Sequence, residues 1–227
     1  MESYENGEAI HSVDTNSVLT NTFFRMFLGL IASAGTAYYV YESGLFISVI
    51  LNGYFMPLVI AELVVVLVFS LLFRKLSSTV VTLLFFAYAF LNGFTLSVVF
   101  PVFEMTSIAY AFAGTAALFG ILSFIGYTTK KDISKWGSIL SVALLVGLVL
   151  TIVNIFLGSS FLDIVLDWAI LLIFFGITVY DINKIKAMQE AGFCEDEKIY
   201  VYGAMELYLD FINIFLRILS IFGKRRN

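Results

Sequence analysis

The sequence predicts an all-α integral membrane protein with seven transmembrane helices, and three observations carry that prediction. Of the 227 residues, 60% are hydrophobic and 13% charged, against roughly a quarter charged in an ordinary soluble protein. A water-soluble domain of this size could not bury so much apolar surface in one core. The chain also breaks into repeated apolar runs of about the 20 residues that a helix needs to cross a bilayer. Backbone groups cannot stay unpaired in lipid, so these runs must be helical.

Taken in order, the first 21 residues form a polar, acidic tail (Glu2, Glu5, Glu8, Asp14) without the basic start of a cleavable signal peptide. The membrane domain is expected over residues 22–222 and a short basic tail over 223–227. The first span covers Thr22 to Tyr41, with Gly29 and Ser33 as a small-residue stripe suited to close helix contact. "GLFISVILNGYF" reads as an interfacial or re-entrant piece, because Pro57 then opens the second span at a position where proline is tolerated. That span runs to Phe73. The third covers Val80 to Phe100, the fourth Ile108 to Tyr127 and the fifth Ser138 to Leu157. The sixth runs from Phe161 to Lys184 and the seventh from Ile199 to Phe222. With two prolines and no flexible linker, no second domain is expected.

Basic residues set the expected orientation. Arg74 and Lys75 follow the second span, Lys130, Lys131 and Lys135 the fourth, and Lys184, Lys186 and Lys198 join the sixth to the seventh. The loops after spans one, three and five carry no Lys or Arg. The N-terminus is therefore expected in the cytoplasm. The tail "GKRRN" disagrees: either the last helix crosses against the rule, or it enters and returns.

Several chemistries are excluded. One cysteine, Cys194, permits no intrachain disulfide and no multi-cysteine metal site, and the single histidine, His11, rules out a His-rich zinc centre. Cys194 reads as a free thiol in a loop.

Ionisable groups inside a span are costly and by default mark a pathway, relay or sensor. Glu62 lies in "IAELVVV" of the second span and Asp181 in "GITVYDINKIK" of the sixth. Glu206, Asp210, Asn213 and Arg217 are spaced 4, 3 and 4 apart, which puts them on one face of the seventh helix. Such a face should turn toward protein or water, either as polar glue between helices or as a functional surface. Asp163 and Asp167 read more simply as wetted helix-start acids. Asp181 is either a helix-end acid paired with Lys184 or, if Lys184 and Lys186 snorkel to the inner membrane surface, a group one turn deeper. A short connection makes the last two helices antiparallel neighbours, so Asp181 and Asp210 could meet. Two carboxylates in a poorly solvated place cannot both ionise cheaply. One is expected to hold its proton toward neutral pH, and the pair to titrate as a unit.

"LYLDFIN", with "TVYDINKIK" and "TTKKDISKWGSIL", resembles the Bax inhibitor-1 family, the transmembrane Bax inhibitor motif proteins, from about Thr22 onward. The resemblance implies seven helices with the last at the centre and six around it. It implies a bacterial plasma-membrane protein acting as a pH-sensitive calcium leak channel; animal members lower stored calcium and suppress cell death. It assigns the pH sensor to Asp181 and Asp210 and puts Glu62 along the ion route; Glu206 and Asn213, on the same face as Asp210, are expected to line that route as well. The family's basic partner falls on Phe73, leaving Arg74 as the nearest substitute, and Glu206 stands where a small polar residue is expected. Calcium is expected as the transported ion, with Asp181 and Asp210 as its candidate ligands. The other expected partners are protons and membrane lipid; no cofactor, enzymatic activity or nucleic-acid partner is expected. A proton-coupled cation exchanger is the alternative. An intramembrane aspartyl protease fits less well, since "LYLD" replaces its glycine-rich motif and its proline-alanine-leucine motif is absent.

Overall fold

The computed structural model describes residues 15–129, 131 and 133–226. The expected polar tail up to Asp14, and Lys130 and Asn227, lie outside the described residues. Within them the chain is helical throughout: α1 (Thr15–Glu42), α2 (Leu45–Leu51), α3 (Phe55–Leu72), α4 (Ser78–Leu96), α5 (Val99–Val102), α6 (Met105–Thr128), α7 (Ser134–Leu157), α8 (Ser160–Glu190) and α9 (Asp196–Phe222). The only pairing of extended backbone among them is an isolated bridge between Phe103 and Arg225.

Six helical stretches are long and apolar enough to cross a membrane: α1, α3, α4 with α5, α6, α7 and α8. The seventh expected span, α9, has 27 residues, a length of about 40 Å, but it is not among the six. It carries Asp196, Glu197, Lys198, Glu206, Asp210 and Arg217. Its sides are nonetheless the most enclosed in the molecule: from Ile199 to Leu219 it is buried except at Tyr200 and along a half-buried stripe of Glu206, Leu209, Asn213, Leu216 and Arg217. The last helix is therefore central, packed against α1, α4, α6 and α8. The expected ring of six is incomplete. α3 packs mainly on α4 and α7 on α8, and both lie at the periphery with broad apolar faces turned outward.

Local chemistry explains the helix ends. Ser77 and Ser159 cap α4 and α8 by accepting from the backbone N–H groups of Val80 and Leu162, at 3.4 and 3.3 Å. Gly158, at φ +63°, ends α7 in the left-handed conformation that favours glycine. Asn154 then locks the α7–α8 corner, donating to the Ser159 carbonyl at 3.0 Å and to Asp163 Oδ1 at 2.5 Å. The "GLFISVILNGYF" segment forms the short helix α2 between Gly44 and Gly53, both at positive φ.

Some boundaries differ from those expected. α1 begins at Thr15 rather than near Thr22, and the third span breaks after Leu96 into the separate turn α5. α8 continues to Glu190 instead of ending at Lys184. The Gly29/Ser33 stripe is a site of close approach between α1 and α4: a Cβ on Gly29 would lie 2.5 Å from the Phe85 ring, and Ser33 Oγ lies 2.7 Å from the Ala89 carbonyl.

The two ends of the bundle are distinct. At the lysine-rich end Arg25 pairs with Glu197, Lys186 donates to the Tyr127 carbonyl at 2.6 Å, and Phe73 stacks on Tyr202 at 4.5 Å. At the other end the C-terminal segment folds over the α5–α6 junction. The Glu104 N–H donates to the Lys224 carbonyl, the Arg226 N–H to the Val102 carbonyl, and the Arg226 guanidinium to the Tyr41 hydroxyl at 2.9 Å. α9 thus runs the full height of the bundle alongside α1.

An acidic cavity beside the central helix

The α9 stripe opens onto a cavity of about 650 Å³ walled by α3, α4, α7, α8 and α9. Glu206, Asp210, Asn213 and Arg217 all line it, as their spacing requires, and Asp181 and Glu62 join them from α8 and α3. Asp181 and Asp210 are each only 3% exposed and lie close enough to repel one another when charged. Asp210 Oδ2 is fully buried and has no hydrogen-bond partner among the described residues. Such an atom is costly to leave unmet.

Arg74 does not line this cavity; its guanidinium lies over the Phe193 ring at 4.3 Å. The basic group beside the carboxylates is Lys184. Its ammonium donates to the Tyr202 hydroxyl at 2.6 Å and pairs with Glu206 at 3.6 Å. Lys184 therefore turns into the cavity rather than snorkelling out, because α8 runs six residues beyond it. For the same reason Asp181 sits about 13 Å from the helix end, deeper than the single turn expected. Glu206, the carboxylate without counterpart in the family pattern, is matched by this lysine.

Glu62 is held by donors from α4. Thr95 Oγ1 donates to one carboxylate oxygen at 2.7 Å and Asn92 Nδ2 to the other at 3.3 Å. Asn92 Oδ1 in turn accepts from the Tyr208 hydroxyl at 2.8 Å, and that hydroxyl lies 2.5 Å from Ser33 Oγ. A hydrogen-bonded chain thus crosses from α3 through α4 and α9 to α1. Ser33 was singled out only for its size, and Asn92, Thr95 and Tyr208 not at all. An amide in the middle of an apolar span was the one available cue.

The remaining polar residues hold structure. Asn213 donates to the Leu209 carbonyl of its own helix at 2.8 Å. Arg217 pairs with Asp167, which also accepts from Ser220 at 2.5 Å. Asp167 is thus tied to α9 rather than simply wetted. Cys194, in the α8–α9 turn, has its thiol pushed up by burial, which disfavours the reactive thiolate.

A helical membrane protein with a charged cavity against a buried central helix is the class that this geometry defines. The sequence narrows it further: the profile of the family described as "Inhibitor of apoptosis-promoting Bax1" matches residues 15–227. The chain is similar to the inner membrane protein YbhL of Escherichia coli K12, 41% identical over 208 residues and 88% of each chain. It is 35% identical to a protein of Borreliella burgdorferi over 217 residues, covering 93% of this chain and 94% of that one. A membrane protein of Streptococcus pyogenes serotype M3 is 37% identical over 166 residues, 73% of this chain and 72% of its own. The chain belongs to the Bax inhibitor-1 family.

Proposed function

We propose that the protein is a multi-pass protein of a bacterial plasma membrane, with its N-terminus in the cytoplasm and α9 crossing as a seventh span, and that it conducts calcium passively. The observation that carries this reading is the gathering of Glu62, Asp181, Glu206 and Asp210 on one cavity. Carboxylate oxygens are the ligands that calcium prefers. Lys184 and Arg217 also line the cavity, but each is engaged by an acid, Glu206 and Asp167 respectively. Asp181 and Asp210 act as the gate. A pair sharing one proton holds α8 and α9 together by a hydrogen bond; a doubly charged pair repels and draws a cation between its oxygens. The protonation state thereby biases two arrangements of the same helices. Glu62 supplies a ligand along the route. No covalent chemistry is involved.

Proteoliposomes test this reading. Calcium flux should run downhill without proton counterflow, whereas an exchanger requires counterflow. Asp181→Asn and Asp210→Asn should each flatten the flux response between about pH 5 and 8. Glu62→Gln should lower flux and keep the response. A wild-type pH profile in either aspartate variant would refute the gate.

A further inference from the structure

Lys184 holds a defined place on the cavity. On α8 and α9 the lining residues nearest the lysine-rich end of the bundle are Lys184 and Glu206, and their charges face each other there. The ammonium is held by more than this acid. It donates to the Tyr202 hydroxyl at 2.6 Å. It also lies 4.9 Å from the centre of the Tyr202 ring and 5.9 Å from that of Tyr180, where an aromatic face attracts a cation. Both rings are fixed in turn. Phe73 stacks on Tyr202 at 4.5 Å, and Tyr180 fits against α7 because residue 137 is glycine: a Cβ there would collide with its ring.

The contact with Glu206 is the loose one. At 3.6 Å it is longer than the roughly 2.7–2.9 Å of a charge-assisted hydrogen bond, so the Glu206 oxygens keep capacity for another cation. Lys184 is also near enough to Asp181 and Asp210 to act on their charges. One ammonium therefore stands in the field of three of the four carboxylates that line the cavity. Arg217 does not share this place. It lies eleven residues beyond Glu206 on α9, about 16 Å along the axis, and its charge is met by Asp167.

We infer that Lys184 is a tethered cation that sets how tightly the cavity holds calcium. The inference rests on the reading of the cavity as a calcium route and adds what lets the ion leave. A permeating ion must bind well enough to enter and weakly enough to depart. Three carboxylates with no positive charge among them would retain a divalent cation. An ammonium fixed in their field repels that cation and competes with it for the Glu206 oxygens. The tyrosine cage keeps the ammonium in place, and the long contact to Glu206 keeps it displaceable. Lys184 thus determines affinity without being a ligand.

Binding of radiolabelled calcium to the full-length protein in nanodiscs of neutral lipid tests this. Lys184→Met should bind calcium at least tenfold more tightly than the wild type, and Lys184→Arg, which keeps the charge, should stay within about threefold of it. The sign is diagnostic. A lysine that only held α8 to α9 would loosen the site when removed and weaken binding, whereas a competing cation predicts a gain. Unchanged or weaker binding in Lys184→Met overturns the inference, as does an equal gain in Lys184→Arg or an absence of calcium binding in both the wild type and Lys184→Met. Should Lys184→Met not give monodisperse protein, Lys184→Gln, which can still hydrogen-bond to Tyr202 but has no charge, decides by the same criterion. Wild-type flux in proteoliposomes reports on calcium passage and the ratio of dissociation constants on the lysine, so the two readings fail separately.

Discussion

Removing one oxygen atom tests whether the chain from Glu62 to Ser33 is a structural unit. Tyr208 is wholly buried, and its ring packs edge-on against Phe85 and Tyr88, with centroids 5.9 and 5.8 Å away. Tyr208→Phe keeps these contacts and deletes only the hydroxyl. In the chain Ser33 donates to the tyrosine oxygen; without it Ser33 turns its proton to the Ala89 carbonyl, 2.7 Å away, so the loss falls on Asn92 Oδ1, whose donor is that hydroxyl. Single interhelical hydrogen bonds in membrane proteins contribute about 0.6 kcal/mol on average and up to about 1.7. Leaving a buried acceptor unmet costs about 1–3 kcal/mol. The expected destabilisation is thus about 1–3 kcal/mol, read as a lowered midpoint of unfolding in mild detergent. Tyr88→Phe is the matched control, because that hydroxyl has no hydrogen bond to a described residue, and it should shift stability by less than about 0.5 kcal/mol. A double-mutant cycle with Asn92→Leu should recover coupling of about 0.5 kcal/mol or more. Equal effects of the two tyrosine variants, or zero coupling to Asn92, would show that the chain is incidental to stability.

Two further outcomes follow from the same geometry. Arg217→Gln leaves the half-buried Asp167 without its counter-charge, so it should destabilise by about 1–3 kcal/mol and more than Arg217→Gln combined with Asp167→Asn, a comparison that chemical unfolding in detergent reads directly. Accessibility tags after Lys131 and at Glu104 should label from opposite faces of the membrane, with a tag after Arg226 labelling together with Glu104; labelling of the Arg226 tag with Lys131 would contradict α9 as a full crossing.

The site was more legible than its supports. Four polar residues at helical spacing within an apolar run define a face by arithmetic, so the α9 stripe could be read directly. The donors on Glu62 could not. Thr95 and Asn92 are ordinary polar residues when seen singly, and no periodicity on α4 says which side chain of α3 they meet. The place of Lys184 turns on a boundary: lysines at 184 and 186 look like an interface, whereas α8 continues to Glu190 and residue 184 faces the cavity. α9 shows the limit of apolar composition as a guide, since a helix with six charged residues, as many as the longer α8 carries, is also the most enclosed. Its charges lie where protein, not lipid, surrounds them.

That enclosure decides where the molecule can move. Shifting α9 breaks a core that runs through Leu207, Tyr208, Phe211 and Ile214. Shifting α3 or α7 mostly exchanges apolar contacts for lipid, which is nearly neutral in a bilayer because lipid tails are as apolar as leucine. For α3 the restraints are local: Glu62 bonded to Thr95 and Asn92, and Phe69 and Phe73 stacked on Tyr202 at 6.3 and 4.5 Å. These two helices flank the cavity, so its opening should widen by their separation while α9 stays fixed. Spin labels at Leu67 and Leu145, exposed positions on α3 and α7, measure this in a Cys194→Ser background. Their distance distribution should be broad or two-peaked. A pair at Ile31 and Ile121, exposed on α1 and α6, which both pack on α9, should give a single narrow peak. Equally narrow distributions at both pairs would mean that the cavity is rigid, and any gate would then have to act through side chains alone.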